Sequence, residues 1–127
     1  MFETVLLPID QSKEALETTA KAIELAHSHQ SHLIMLSVME SDRPQMNNAE
    51  LVASLLKRAR EKVEQAGITC DFIQKEGKPA FVICDVADEL NVDVIVIGTR
   101  GMSLEGDSES TATRVIQLAP CPVLVVP

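Results

Sequence analysis

Residues 92–127 have the sequence VDVIVIGTRGMSLEGDSESTATRVIQLAPCPVLVVP, and this stretch gives the clearest indication of the architecture. An apolar run from Val92 to Ile97 leads into a Gly98-x-x-Gly101 turn, which is followed by a polar loop, a helical pattern from about Ser110 to Leu118 and a second apolar run, Val123 to Val126. Apolar runs without polar alternation are typical of parallel strands that are covered on both faces. A strand that ends in glycine before a helix also lets backbone N–H groups approach an anion. The stretch therefore predicts a strand, turn, helix and strand with an anion site at the turn.

The rest of the chain repeats this alternation. Further strands are predicted over Val5 to Ile9, Leu33 to Val38 and Ile68 to Lys75. Helices are predicted from an N-cap at Ser12 to about His29, from about Asn48 to a C-terminal cap at Gly67, and from about Ala80 to Leu90. The order βαβαβαβαβ predicts an α/β fold, namely an open, doubly wound, Rossmann-like parallel sheet of five strands with four helices. We expect residues 1–127 to form a single domain.

Charge and composition exclude several classes of function. The formal net charge is −8 and the chain contains no Trp or Tyr, so it would repel nucleic acid and anionic membranes and has little aromatic surface for stacking on bases. No apolar stretch approaches the roughly 18 residues that a membrane span needs. The first residues show no signal-peptide pattern. We therefore expect a cytoplasmic protein that binds neither nucleic acid nor membranes.

Asp10 and the glycine turn are predicted to meet at one edge of the sheet. Asp10 follows the first strand, and ligands of doubly wound folds bind at the carboxyl ends of the strands where the strand order reverses. Its carboxylate can accept a hydrogen bond from a base or a ribose, or it can cap the first helix together with Ser12. Both interpretations stay open, and they are compatible with each other.

Several short motifs together resemble the universal stress protein family, and the resemblance extends over the whole chain. They are Pro8-Ile9-Asp10, Gly98-x-x-Gly101, Ser110, and the ending from Arg114-Val115-Ile116 to Ala119-Pro120-Cys121-Pro122-Val123-Leu124-Val125-Val126. The resemblance implies an open α/β domain that forms a homodimer, usually by pairing of the final strands, here Val123–Val126. Many members of the family bind ATP and others do not, so the resemblance implies ATP as a candidate ligand and leaves both groups open.

The residues that the resemblance implies for nucleotide binding surround an ATP or AMP molecule. Asp10 is expected near the adenine or the ribose, and the residues expected around the phosphates are Gly98, Gly101, Ser110 and Thr111. The candidate cofactor-binding residues are Pro8, Ile9, Asp10, Val38, Gly98, Arg100, Gly101, Met102, Glu109, Ser110 and Thr111.

One residue departs from the family's nucleotide motif, in which Gly-x-x-Gly is followed later by Gly and then Ser or Thr. Alignment on Arg114 places Glu109 at the last glycine and keeps Ser110 as the hydroxyl. Glu109 adds a side chain and a negative charge, and both oppose a triphosphate. A Mg²⁺ ion held between phosphates and Asp107 or Glu109 would reverse that effect. Alternatively, Glu109 or Asp107 occupies the start of the last helix and closes the anion site.

Three functions follow from these alternatives. The first is a small dimeric stress-response module that binds an adenine nucleotide, ATP or AMP, with Mg²⁺ as a companion of the nucleotide. The second is a dimeric interaction scaffold whose anion site is closed or takes another small anion. The third is a weak Mg-dependent ATPase, for which the sequence identifies neither a catalytic base nor an arginine finger. The apolar final strand, Val123–Val126, separately predicts a homodimer formed through an exposed sheet edge.

Overall fold

Strands and helices alternate along the whole of the described chain. The structure, a computed structural model, describes residues 2–9, 14–39, 49–99 and 111–127. Its elements are β1 (Thr4–Ile9), α1 (Glu14–His29), β2 (His32–Met39), α2 (Ala49–Gln65), β3 (Cys70–Glu76), α3 (Pro79–Glu89), β4 (Val94–Gly98), α4 (Thr111–Leu118) and β5 (Val123–Val126). The predicted order of elements and the α/β class are confirmed.

The strands form a five-stranded sheet in the order β3-β2-β1-β4-β5, and all neighbouring strands are parallel. From β1 the chain moves outward to β2 and β3, and it then crosses over to β4 and β5 on the other side. The order therefore reverses between β1 and β4, which is the switch point at which doubly wound sheets bind their ligands.

Two layers of helices cover the sheet, because successive strand residues point to opposite faces. Val5 and Leu7 pack with Ala22 of α1 and Val63 of α2. Leu6, which lies between them, packs on the opposite side of the sheet, in the cluster that α3 and α4 complete. The side chains of β1 are buried on both faces of the sheet, and this explains why the strand is continuously apolar in sequence.

Three helices end in the same way, with a residue in the left-handed conformation. These residues are Gln30 after α1, Gly67 after α2 and Asn91 after α3, with φ of 53°, 73° and 50°. After α1, the N–H of Ser31 donates to the carbonyl of Ala26 at 2.8 Å, and equivalent bonds follow α2 and α3. This is the hydrogen bond that closes a Schellman motif. It turns the chain directly into the next strand.

Two strands begin two residues later than predicted for a local reason, and the other strand ends agree with the prediction to within one residue. The third strand was expected from Ile68, but the N–H of Ile68 donates to Val63 in the cap of α2, and β3 begins at Cys70. The fourth strand was expected from Val92, but the N–H of Val92 donates to Ala87 in the cap of α3, and β4 begins at Val94. In both places, apolar residues that were predicted to begin the strand form part of the preceding helix cap instead.

Candidate functional site

β1 and β4 end side by side at the carboxyl edge of the sheet, where the strand order reverses. Of the candidate site residues, the structure describes five, which are Pro8, Ile9, Val38, Gly98 and Thr111. The other candidates lie outside the described residues; they are Asp10, Arg100, Gly101, Met102, Asp107, Glu109 and Ser110. The described five all lie at or near the carboxyl edge.

The alternation of strand side chains divides these residues between the two faces of the sheet. Ile9 is 4% exposed and packs into the core under α1 and α2, so that a ligand at the edge would meet its backbone rather than its side chain. Val38 packs into the opposite core cluster, to which Ala112 of α4 also belongs. Pro8 is buried and precedes Ile9, and it therefore lies on the same face as Val38. A ligand on the α4 side would meet the side chains of Pro8 and Val38.

The start of α4 is the natural anion-binding element of this edge. α4 begins at the partly buried Thr111, and its first turn contains no acidic residue. The first N–H groups of a helix have no partner within the helix, and the helix dipole adds partial positive charge at this end. Because α4 connects the parallel strands β4 and β5, it starts on the carboxyl side of the sheet, and it covers the face to which the apolar side chains of Pro8 and Val38 belong.

The close contact between Gly98 and Thr18 was not predicted from the sequence. A Cβ atom built on Gly98 would lie 2.5 Å from Oγ1 of Thr18, closer than such atoms approach in real structures. Thr18 is 5% exposed and lies on the face of α1 that packs on the sheet. The sequence did contain a signal for this contact: Thr18 is a small residue four positions before the core residue Ala22, and it therefore lies on the same face of α1. Gly98 therefore lacks a side chain at least partly to let α1 approach β4.

A buried hydroxyl group lies in the same row of the sheet. Ser37 of β2 is level with Ile9 of β1, and Gly98 of β4 is level with Val126 of β5. The Oγ atom of Ser37 is fully buried and has no hydrogen-bond partner among the residues that the structure describes. A buried hydroxyl without a partner is costly. Ser37 thus marks the carboxyl edge as polar on its α1 side as well.

The thiol groups offer no nucleophile at neutral pH. Burial raises the pKa of the Cys70 thiol to about 12, and the nearby Asp71 carboxylate acts in the same direction. Burial likewise raises the pKa values of Cys84 and Cys121. Because the thiolate is the reactive form, the raised pKa values lower the reactivity of all three thiols. The described part of the chain also contains no group of three side chains that could hold a metal ion, and none of its helices is both long and apolar enough to span a membrane.

Comparison with known proteins identifies the family. The model of the universal stress protein family matches residues 1–127. The chain belongs to the universal stress protein family. A relative within it, the universal stress protein Sll1654 of Synechocystis sp., is 48% identical over 100% of this chain and 87% of its own length.

Solved structures of other family members have the same fold. A universal stress protein in complex with cAMP superposes with a TM-score of 0.83 at 23% identity, over 98% of this chain and 96% of its own. The universal stress protein of Archaeoglobus fulgidus in complex with dAMP superposes with a TM-score of 0.77 at 22% identity, over 100% of both chains. At this level of identity the similarity shows the Rossmann-like fold, and the ligands are those of the two relatives.

Proposed function

We propose that this universal stress protein binds an adenine nucleotide at the carboxyl edge of its sheet, between β1 and β4. The observation that supports the proposal most directly is that α4 starts at the carboxyl edge of the sheet, on the face to which the side chains of Pro8 and Val38 also belong. The helix start suits a phosphate group, and the apolar wall suits the flat face of a purine. The two solved relatives in complex with cAMP and dAMP support the same class of ligand.

We expect AMP to bind more tightly than ATP when no divalent ion is present. The segment before α4 contains three acidic residues, Glu105, Asp107 and Glu109, whereas Arg100 and Arg114 supply only two opposing charges. Each pair of like charges about 4 Å apart costs roughly 1 kcal/mol in water and more near a protein surface. The added phosphates of ATP would therefore be repelled. Mg²⁺ would reduce the difference by bridging carboxylates and phosphates.

Calorimetric titrations with AMP, and with ATP in the presence and absence of Mg²⁺, test this proposal. The parent protein is compared with Glu109→Gly and Glu105→Gly, each of which removes one carboxylate from the same segment. Position 109 aligns with the last glycine of the family motif and position 105 does not. We expect Glu109→Gly to tighten AMP binding roughly tenfold and Glu105→Gly to change it by no more than about twofold.

The same titrations distinguish the alternative function. If AMP and ATP bind only to Glu109→Gly, the parent is the interaction scaffold and its anion site is closed by that carboxylate. If neither nucleotide binds any of the three proteins, the proposal that this protein binds an adenine nucleotide is rejected. Turnover of ATP by the parent, lost on Asp107→Asn, would instead support the weak Mg-dependent ATPase.

We further propose that the protein forms a homodimer through the edge of β5. Leu124 and Val125 of this strand are 43% and 37% exposed, and Ile116 of the neighbouring α4 is 55% exposed. A groove of about 430 Å³ between α1 and β5 is lined by Leu25, Leu124 and Val126 among others. An edge strand with exposed apolar side chains attracts a second strand. The opposite edge, β3, exposes polar residues and is protected from such pairing.

Sedimentation of two matched variants tests the dimer. Val125→Lys places a charge on the proposed interface, and Gln74→Lys places the same charge on the exposed part of β3. We expect Val125→Lys to sediment as a monomer and Gln74→Lys to sediment as the parent does. A parent that sediments as a monomer at micromolar concentration, or a Val125→Lys variant that remains dimeric, contradicts the proposal.

We also propose that the protein works in the cytoplasm, where its nucleotide ligand is produced. Imaging of a fluorescent fusion in cells of the source organism tests this location. Fluorescence confined to the cell envelope would contradict it.

A further inference from the structure

We infer that Pro8 is a positioning residue: because it has no N–H group, it omits a hydrogen bond between β1 and β4 and keeps the crevice at the switch point open. This inference rests on the proposed nucleotide site, but it concerns the backbone of the sheet rather than contact with the ligand. Proline in a central strand calls for an explanation, because a sheet normally confines proline to its edges.

The direction of the missing bond follows from the start of β1. The carbonyl of Glu3 accepts a hydrogen bond from the N–H of His32, so residue 3 faces β2. The N–H of Thr4 donates to the carboxylate of Asp93, and its carbonyl accepts from the N–H of Asp93, so residue 4 faces β4. The backbone groups of a strand alternate in direction. Residue 8 therefore faces β4, as residue 4 does.

The register of the strands agrees with this direction. β1 pairs with β2 along its whole length, up to Ile9 with Ser37. With β4, however, its paired residues are Val5 with Val94 and Leu6 with Ile95, and the pairing ends before residue 8. This difference is the one that a missing N–H at residue 8 produces, because the next two pairs with β4 would both require a hydrogen bond from that group.

Extending the register of the strands shows which carbonyl of β4 lacks a hydrogen bond from residue 8. Residue 8 is level with Ile97, so an N–H at this position would be directed at the carbonyl of Val96, according to the geometry of a parallel ladder. Pro8 removes that bond and leaves every bond to β2 in place. The loss falls in the carboxyl half of β1, next to the crevice that lies outside the carboxyl ends of β1 and β4.

The test changes the side chain of residue 8 with and without adding the N–H group. Pro8→Val and Pro8→Ala add the donor. A third protein carries 2-hydroxyisovaleric acid at position 8, which has the valine side chain but an ester oxygen in place of the N–H. Pro122→Val, just before β5 and away from the crevice, controls for the loss of a proline ring. Each protein is titrated with AMP, and amide exchange at residue 8 is followed by NMR.

We expect the residue 8 amide of Pro8→Val and Pro8→Ala to be protected from exchange and the dissociation constant for AMP to rise roughly tenfold, the effect of about one backbone hydrogen bond. The hydroxy-acid protein, which has the same side chain as Pro8→Val, should bind AMP roughly tenfold more tightly than Pro8→Val does, and Pro122→Val should bind AMP as the parent does. Equal affinities for Pro8→Val and the hydroxy-acid protein would overturn the inference, since the N–H would then have no role.

Failure of the proposed function has a different signature. If the parent itself binds no nucleotide, nucleotide binding is rejected and the exchange measurement alone decides the backbone claim. A residue 8 amide that is protected in Pro8→Val would then support a ladder interrupted by proline, and an unprotected amide would overturn it.

Discussion

Gly98, the last residue of β4, lies directly beneath Thr18 of α1, with no room for a Cβ atom between them. The built Cβ would lie 2.5 Å from Oγ1 of Thr18 and 3.6 Å from its Cβ. Gly98 is also the first glycine of the Gly-x-x-Gly turn that the family resemblance assigns to phosphate binding. One glycine therefore lets a helix pack closely on the sheet and ends the strand at the proposed site.

Gly98→Ala should destabilise the fold by about 1–3 kcal/mol, the usual cost of overpacking a tight contact. Thr18→Ala removes Oγ1 and Cγ2, so that the double variant should recover much of the loss. Unfolding in urea measures all three free energies. If the effects of Gly98→Ala and Thr18→Ala simply add, the contact is not the reason for the glycine.

Replacing the left-handed residues at the helix ends by glycine should increase the stability of the protein. Gln30→Gly should stabilise the protein by about 0.5–1 kcal/mol, because glycine adopts positive φ without the steric cost that a side chain brings. Asn91→Gly should gain less, since asparagine tolerates this conformation better. Thermal unfolding measures both. Ser28→Gly, within the last turn of α1, is the control and should destabilise; a stabilising Ser28→Gly would contradict the explanation.

Asp93 ties the start of β4 to the start of β1. Its carboxylate accepts a hydrogen bond of 2.9 Å from the N–H of Thr4, and its own N–H donates to the carbonyl of Thr4 at 2.9 Å. Asp93→Ala should cost about 1.5–3 kcal/mol, the range for a hydrogen bond to a charged group. Asp88→Ala, on the exposed face of α3, is the matched control for loss of a carboxylate. Equal unfolding free energies of the two variants would show that the pair with Thr4 contributes little.

Cys70 should react slowly with iodoacetamide in the folded protein. Burial raises its pKa from 9.0 to about 12, and a shift of this size lowers the thiolate fraction at pH 8 by roughly a thousandfold. The folded state favours the protonated thiol, so deprotonation of Cys70 favours unfolding. The contribution of the protonated thiol to the free energy of unfolding is therefore complete below about pH 9 and is lost as the pH rises towards 12. Mass spectrometry of the alkylated peptide gives the rate, and the same thiol in urea is the control. Equal rates in the two states would contradict the assignment.

The sequence predicted the sheet because its signal is local. The apolar runs that became β1, β2 and β4 are covered on both faces, and the predicted final strand, Val123–Val126, agrees with β5. The starts of β3 and β4 were placed two residues early in each case, because apolar residues such as Ile68 and Val92 belong to helix caps that no periodicity reveals.

The site was harder to predict because its parts are distant in sequence. Pro8 and Gly98 belong to motifs that are visible in the sequence, but these motifs predicted ligand contact for both residues. Only the three-dimensional structure places Thr18 against Gly98 and directs the backbone of Pro8 towards β4. Whether a glycine serves packing, ligand approach or both depends on which helix crosses it, and that information is absent from a short motif.

Titration of the isotope-labelled parent with AMP, followed by NMR, tests the central claim most directly. We predict saturable shifts with a dissociation constant below about 100 µM, or roughly 5.5 kcal/mol of binding free energy. The largest shifts should occur at Ile9, Val38, Gly98 and Thr111, around the carboxyl edge between β1 and β4. No shift at millimolar AMP, or shifts concentrated in the groove between α1 and β5, would contradict the account.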